Sequence, residues 1–536
     1  MENRRLILIA LIGVIVYLLY QSWQSDYAQT ASKTIAAVPA VTGDMPAATV
    51  STDRVVVHTD KFTAEISMAG ADLHRVELLE YPLQKNQPEK KLPLLDDQDG
   101  HWSILQSGLA GSDRAFSQED TSFAATQKEF TLADGSDTLE VPLHYEDVSG
   151  YQVTKTYRFR RGSYVVDLIQ TLRNQTQQPI QASAYIRWQR KPVRSGDEPP
   201  FAKSFLGFGV YQQDTAGGPY KFEKLAFSKL DKTSFESAQT GGWIVMLQHY
   251  FVAGIIPPAN ENLTFKAKPS PTVKGAYNAQ YVGVMRPIAT GMSQDFTAKL
   301  FIGPTLHGTL DSVAPGFDLT EDYGWLTPVA TPLFWLMKTY HNITGNWGVA
   351  IVLLTITVRV FLLPLTAAQF RSSAKMRQFA PRMKELRDRY ADNREQLNRA
   401  MMELYKKEKF NPLAGCWPLL VQLPVFYAML WVVGQSVELR QAPFILWVND
   451  LSSPDPYFVL PVLYGATMWL MQKISGQAAT MDPMQARVMN IMPIVLTGMF
   501  ALFPSGLVLY WVVSNTLSIV QQGLIQGRVD AGERKT

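Results

Sequence analysis

The chain has 536 residues, with 50 Lys and Arg against 47 Asp and Glu, for a formal net charge of +3. That balance says little about partners until it is split by region, and a near-neutral mean hydropathy averages two unlike parts. A single cysteine, Cys416, excludes a disulfide framework, so any soluble part must stand on its own core.

The first apolar run, Leu6–Tyr20, follows Arg4 and Arg5. Tyr17, Tyr20 and Trp23 stand where a signal peptide would carry small residues for cleavage, and aromatics there suit a membrane interface. Residues 1–23 are therefore expected to be an uncleaved N-terminal transmembrane anchor with its N-terminus in the cytoplasm. Residues 24–53 are rich in Ala, Thr, Ser and Pro without periodicity, which predicts a flexible linker.

From residue 54 to 318 the pattern becomes short β-like stretches between turn residues. Tyr151, Val153, Tyr157 and Phe159 alternate with Gln152, Thr154, Thr156 and Arg158, as in a half-buried strand. Asp134-Gly135 and Arg161-Gly162 mark turns. A run of this length predicts one large antiparallel β-sandwich domain, placed outside the cytoplasm by the anchor before it. Six of the seven histidines (His58, His74, His101, His144, His249, His307) are scattered through it without metal-site spacing, and no G-x-S-x-G occurs. The expectation is a non-enzyme with no metal and no cofactor.

Residues 319–342 hold a Trp-, Leu- and Pro-rich segment, Tyr323–Lys338, which reads as an amphipathic helix lying on the outer membrane face. An ordinary buried helix is the alternative. Residues 343–527 then contain five apolar runs: Asn346–Leu365, Cys416–Gly434, Tyr457–Gln472, Val488–Phe503 and Gly506–Val520. With the anchor they make six transmembrane helices. Threaded from a cytoplasmic N-terminus, they put 366–415 and 473–487 inside, with the short tail 528–536. Charge agrees: between Gln369 and Gly415 twelve Lys and Arg oppose six Asp and Glu, whereas 435–456 has one Arg against three acids. Within 371–411, Met376, Phe379, Met383, Leu386 and Tyr390, and then Leu397, Met401, Leu404 and Tyr405, recur at helical spacing on either side of Asp392-Asn393. A cytoplasmic helical hairpin follows, whose basic face could meet ribosomal RNA, anionic lipid or a targeting receptor, or serve topology alone.

Arg359 stands inside an otherwise apolar span, and no Asp or Glu occurs in any of the six runs. A charge near the middle of a spanning helix costs roughly 2.5–3.5 kcal/mol on insertion scales, so such residues face a partner or a wet cavity. A hydrophilic hollow is expected; Thr355 lies one turn before Arg359 on the same helix face, Gln422 sits mid-run, and Ser514 and Asn515 interrupt the last helix. For any one of Gln422, Thr467 or Asn515 an interhelical hydrogen bond is the simpler role.

The segments GNWGVAIVLLTITVRVFLLPLTAAQFRSSAKM, FNPLAGCWPLLVQLPVFYAML, SVELRQAPFILWVNDLSSPDPY and FPSGLVLYWVVSNTLSIVQQ closely resemble the YidC/Oxa family of membrane protein insertases. The anchor and large outer domain are similar to its Gram-negative bacterial members. The resemblance is dense over 340–527 and mainly architectural over 54–318. It implies a multi-pass inner (plasma) membrane protein whose five-helix core encloses a groove open to the cytoplasm and to lipid. It puts the groove arginine at Arg359, polar neighbours at Thr355 and Gln422, and a substrate-contacting aromatic face at Tyr510 and Trp511; the tryptophan removes a hydroxyl common at that position. Implied partners are nascent membrane proteins, the Sec translocon and its accessory subunits, the ribosome, and signal recognition particle or its receptor. DNA is not among them. The tail, where Arg528, Arg534 and Lys535 oppose Asp530 and Glu533, is weakly basic for ribosome contact. A small-solute transporter and a membrane-anchored periplasmic binding protein or sugar enzyme are the rivals from other classes.

Overall fold

A computed structural model describes residues 53–98, 100–112, 114–193, 205–213, 218–321, 323, 326–368, 380–390, 393–407, 417–475 and 483–533. The expected anchor (1–23) and most of the linker lie outside the described residues, as do 369–379 and 408–416 of the basic loop, the centre of 473–487, and the end of the tail. The chain divides into two compact units, one built from the β-rich region and one from the helical region.

The β-rich unit is two packed-strand systems. The first sheet runs, in hydrogen-bonded order, Phe235–Thr240, Asn262–Pro269, Tyr277–Gly283, Ile180–Arg190, Ser103–Ala110, Asp72–Gln84, Phe62–Ser67, Arg54–His58 and Glu129–Thr131. The second runs Tyr220–Ala226, Gly207–Gln213, Trp243–Gln248, Phe251–Ile256, Ser293–Pro304, Val165–Asn174, Tyr151–Arg160, Thr138–Asp147 and Ala124–Ala125. Pairing is antiparallel except between Arg54–His58 and Glu129–Thr131. Tyr151–Arg160 alternates buried and half-buried residues as its sequence predicts. The surprise on its inward series is Lys155, fully buried between Tyr151, Val153, Tyr157 and Phe159.

That lysine survives burial because the fold surrounds it with acceptors. Its Nζ donates to the Ser107 carbonyl at 2.6 Å and the Ser107 hydroxyl at 2.9 Å, also to the Gly70 carbonyl, and lies 3.4 Å from Asp72 Oδ1. Burial still lowers the lysine's pKa, with Asp72 opposing. A second network holds Arg187, paired in register with Gln106. Its Nε and Nη2 donate to Gln106 Oε1 at 3.1 and 2.7 Å, and Nη2 also bonds Glu119. Each buried charge here is answered by a side chain of the same unit, as burial in low dielectric requires.

In the helical unit, α1 (Thr327–Thr344) buries Ala330, Phe334 and Met337 on one stripe and exposes Trp335 and Ile343. The expected segment thus forms a one-sided helix, but it starts later and ends later than its sequence suggests. Pro328 explains the start, since proline fits the first helical turn, where its missing N–H has no ladder to break. Gly345, in the left-handed region at φ 68°, stops it. Asn346 then caps α2 (Trp347–Phe361) by accepting from Val349 N–H at 3.1 Å. Its amide also donates to the Phe444 carbonyl at 2.9 Å, so the turn between α1 and α2 is tied to the loop that holds Phe444.

Helices α3 (Ala380–Arg389) and α4 (Arg394–Lys407) follow. The Tyr405 hydroxyl reaches Met383 Sδ at 3.8 Å. The remaining helices are α5 (Trp417–Gln435), α6 (Val459–Ser475), α7 (Pro483–Phe500) and α8 (Ser505–Glu533). Among the described residues one stretch, Ser505–Ile525, is long and apolar enough by itself to cross a membrane; Trp347–Phe361 and Arg487–Phe500 are shorter apolar helices. Prolines and polar residues within the apolar runs shorten the unbroken stretches: α2 stops at Phe361, Leu362 is a turn and Pro364 follows.

Candidate functional site: a buried guanidinium among helices

The core of the helical unit is made by Leu354, Ala428, Met429, Val432, Val433, Leu507, Val508 and their neighbours. Arg359, in the last turn of α2, is 7% exposed and meets α8 just beside this core. Its Nε donates to the Ser514 hydroxyl at 2.9 Å and its Nη2 to the same oxygen at 2.5 Å. No carboxylate lies within ion-pair distance of it among the described residues. A guanidinium has five N–H donors, and one hydroxyl receives two of them.

The expected neighbours divide. Tyr510, 2% exposed, lies one helical turn from Ser514 and interacts electrostatically with Arg359 and by a side-chain hydrogen bond with Gln422 of α5. Thus Arg359, Tyr510, Gln422 and Ser514 gather where α2, α5 and α8 meet. Asn515 is buried and donates to Thr467 Oγ1 of α6 at 3.4 Å, the interhelical contact its position suggests. Thr355 is fully buried on the Arg359 face, yet its hydroxyl donates to the Ile351 carbonyl of its own helix at 2.6 Å. That internal bond uses its donor and leaves only lone pairs for anything else.

Trp511 sits in an aromatic wall rather than beside the guanidinium. Its ring packs against Phe426 at 5.3 Å, Tyr464 at 6.2 Å and Phe500 at 6.2 Å, all edge-on. Tyr464 stacks on Phe500 at 4.3 Å. The indole N–H is buried with no hydrogen-bond partner among the described residues. The site therefore has a polar side, from α2 and α8, and an aromatic side, from α5, α6, α7 and α8.

Two features escaped the sequence. Ser514 is the direct partner of Arg359; its one available signal is that a small polar residue interrupts the last apolar helix. The other is a knot around His307, which looks like one more scattered histidine. Its ring lies 3.7 Å from that of Phe334 in α1 and its Nδ1 is 3.2 Å from Glu438 Oε1. Lys338 Nζ donates to its carbonyl at 2.7 Å. These contacts fasten α1 to the loop after α5 and have no chemistry of their own to offer.

Two family models match the chain, one after the other, and meet inside α1. Residues 54–336 match the YidC periplasmic domain model and 339–532 the 60Kd inner membrane protein model. A membrane protein insertase YidC of Methylococcus capsulatus is 41% identical over 99% of both chains. That of Nitrosococcus oceani is likewise 41% identical over 99% of both, and that of Shewanella sp. (strain ANA-3) 41% over 98% of both. Among solved structures, an active YidC insertase with its first transmembrane domain resolved aligns over 90% of this chain and 94% of its own, at TM-score 0.39 and 16% identity.

Proposed function

The chain belongs to the YidC family of membrane protein insertases, and from that premise we propose how its own residues carry out insertion. It is an inner-membrane protein with a periplasmic domain, and its function is the insertion of membrane proteins. In our reading six spans cross the membrane: the anchor 1–23 and five helices of the core 343–527. Both termini and the hairpin 371–411 face the cytoplasm, residues 54–318 face the periplasm, and α1 lies along the outer membrane face.

The single observation that carries the mechanism is the state of Arg359: nearly buried, held by one serine, with no carboxylate near it among the described residues. A hydrophilic tail of a new membrane protein must cross hydrocarbon, where each unsatisfied polar group costs several kcal/mol. A polar recess partway across shortens that path. Arg359 supplies a fixed positive potential and spare N–H donors to an acidic or carbonyl-rich tail; Ser514 holds the guanidinium in place without cancelling its charge. Gln422 and Tyr510 extend the polar side, while Thr355 offers its remaining lone pairs.

Meanwhile the client's apolar stretch moves into lipid past the aromatic wall of Trp511, Tyr464 and Phe426. It gains roughly 25 cal/mol for each Å² removed from water. Asn515 braces α8 against α6. Binding in the recess is weak, because the client must leave, and hydrophobic transfer supplies the drive without a cofactor or nucleotide. The client class is nascent membrane protein. The hairpin is the receiving surface for the ribosome and signal recognition machinery, and the core works alone or beside the Sec translocon.

Reconstitution of the full chain alone in liposomes tests this. A single-span client with an acidic N-terminal tail should gain protease protection of the tail. Absence of protection with folded, correctly oriented protein would assign the chain an accessory role beside another translocon.

A further inference from the structure

The proposed recess uses α8 around Tyr510–Asn515, but the helix continues well past it, and one residue there is out of keeping with its surroundings. Gln522 is fully buried, and neither its amide nitrogen nor its amide oxygen has a hydrogen-bond partner among the described residues. Buried polar side chains nearly always find partners, so a carboxamide without any needs a reason. An apolar residue of equal size would fill the same space at no such cost.

Its position on the helix supplies the reason. At 100° per residue, Trp511, Asn515 and Gln522 fall within about 40° of one another and span about 16 Å of α8. Trp511 and Gln522, at the two ends of this stripe, both carry buried polar atoms without partners. Between them Asn515 is bonded to Thr467, and Ser518 donates to the Ser514 carbonyl at 2.9 Å. Gln522 lies eight residues, about 12 Å, beyond the serine that holds Arg359. It is thus a second polar station on the same helix, farther along toward its C-terminal end.

Resting on the groove reading above, we infer that Gln522 is a contact for the client's polypeptide backbone, met on the cytoplasmic side of Arg359. The chemistry separates the two stations. Arg359 has donors only and favours carboxylates and carbonyls. A carboxamide carries an acceptor and two donors, the complement of a peptide group, which offers one N–H and one C=O. An extended segment repeats peptide groups every ~3.3 Å whatever its sequence. Such a station therefore receives any hydrophilic tail, and the guanidinium beyond it discriminates by charge. The stripe ends at Trp511, whose free indole N–H can take a carbonyl of the same passing chain.

The test uses the full chain in liposomes, with a single-span client bearing a hydrophilic N-terminal tail. A photo-crosslinking side chain is placed at Gln522 and, as control, at Val520, which is 53% exposed on another face. The tail should crosslink from 522 and not from 520. Gln522→Met, which keeps volume and removes the amide, should slow tail translocation about fivefold, the factor one net hydrogen bond is worth. Its thermal midpoint should be unchanged or raised, and Gln522→Asn should recover part of the rate. Absence of tail crosslinks from 522, or a Met variant with unaltered rate, overturns the inference. So does a Met variant with a lowered midpoint, because the amide would then be holding the fold. Arg359→Ala run in parallel separates the two levels. If it loses translocation while 522 is silent, only the second station falls; if wild type itself translocates nothing, the groove reading falls.

Discussion

Two of the buried arginines, one from each unit, have almost the same exposure and opposite surroundings. Arg187 in the β-sandwich is 3% exposed and bonds Glu119 and Gln106; Arg359 among the helices is 7% exposed and, among the described residues, hydrogen-bonds only Ser514. The first charge is neutralised within its own unit. The second is held in position but left electrically open. Taking a guanidinium from water is costly in either place, and a structural arginine recovers that cost from a carboxylate. One retained without a carboxylate has its complement elsewhere, in a partner that comes and goes.

Removing each arginine should therefore damage different properties. Arg187→Ala leaves Glu119 buried without its counter-charge and should cost about 3–5 kcal/mol of folding stability. Denaturant unfolding of the purified chain measures this; burial already raises the Glu119 pKa, so the loss should ease as the pH is lowered and that carboxyl takes a proton. Arg359→Ala should leave unfolding nearly unchanged yet lower insertion of acidic-tailed clients about tenfold or more, equivalent to ~1.4 kcal/mol or more of lost stabilisation. A large fall in stability would make Arg359 a structural residue like Arg187 and end the contrast.

Finer effects sharpen the same comparison. In the sandwich, Asp97 accepts from His74 at 3.1 Å and from Arg54 at 2.5 Å; the bond to His74 and then the charge of Arg54 hold its carboxyl below the usual value. The native state therefore binds its proton less readily than the unfolded chain. The stabilisation is complete above the ordinary carboxylate pKa near 4 and is lost as pH falls through the lower native value. Asp97→Asn should cost about 1–2 kcal/mol at neutral pH, and thermal midpoints of variant and wild type should converge in acid. Smallest is Arg399→Ala in α4. Its partner Glu395, at 2.7 Å and one turn away, is exposed like itself, so at most ~0.5 kcal/mol should change.

What could be read from the sequence follows physical periodicity. The alternation in Tyr151–Arg160 gave away a strand because every second side chain is buried, and α1 was visible as a one-sided helix. Arg359 was conspicuous because a charge in an apolar run has no local explanation. Partners across helices were not legible. Ser514 is 155 residues from Arg359, and nothing local to either distinguishes their pairing from a solvated serine. Thr355 was placed on the right face, but only the fold reveals that its hydroxyl turns back on Ile351. Lys155 is the converse case: an inward lysine breaks the alternation rule, and the acceptors that permit it come from residues 70, 72 and 107. Gln522 lies beyond the last apolar run, Gly506–Val520, and nothing in the sequence marks it as buried.

The central claim is that Arg359 is an open charge serving the client's tail. It is tested most directly by comparing two otherwise identical clients, one with an acidic and one with a neutral, strongly apolar translocated segment, in liposomes holding wild type, Arg359→Ala or Arg359→Lys. The account predicts that Arg359→Ala loses protection of the acidic tail while sparing the apolar one, and that Arg359→Lys keeps most of it. Equal loss for both clients, with normal folding and abundance, would contradict it.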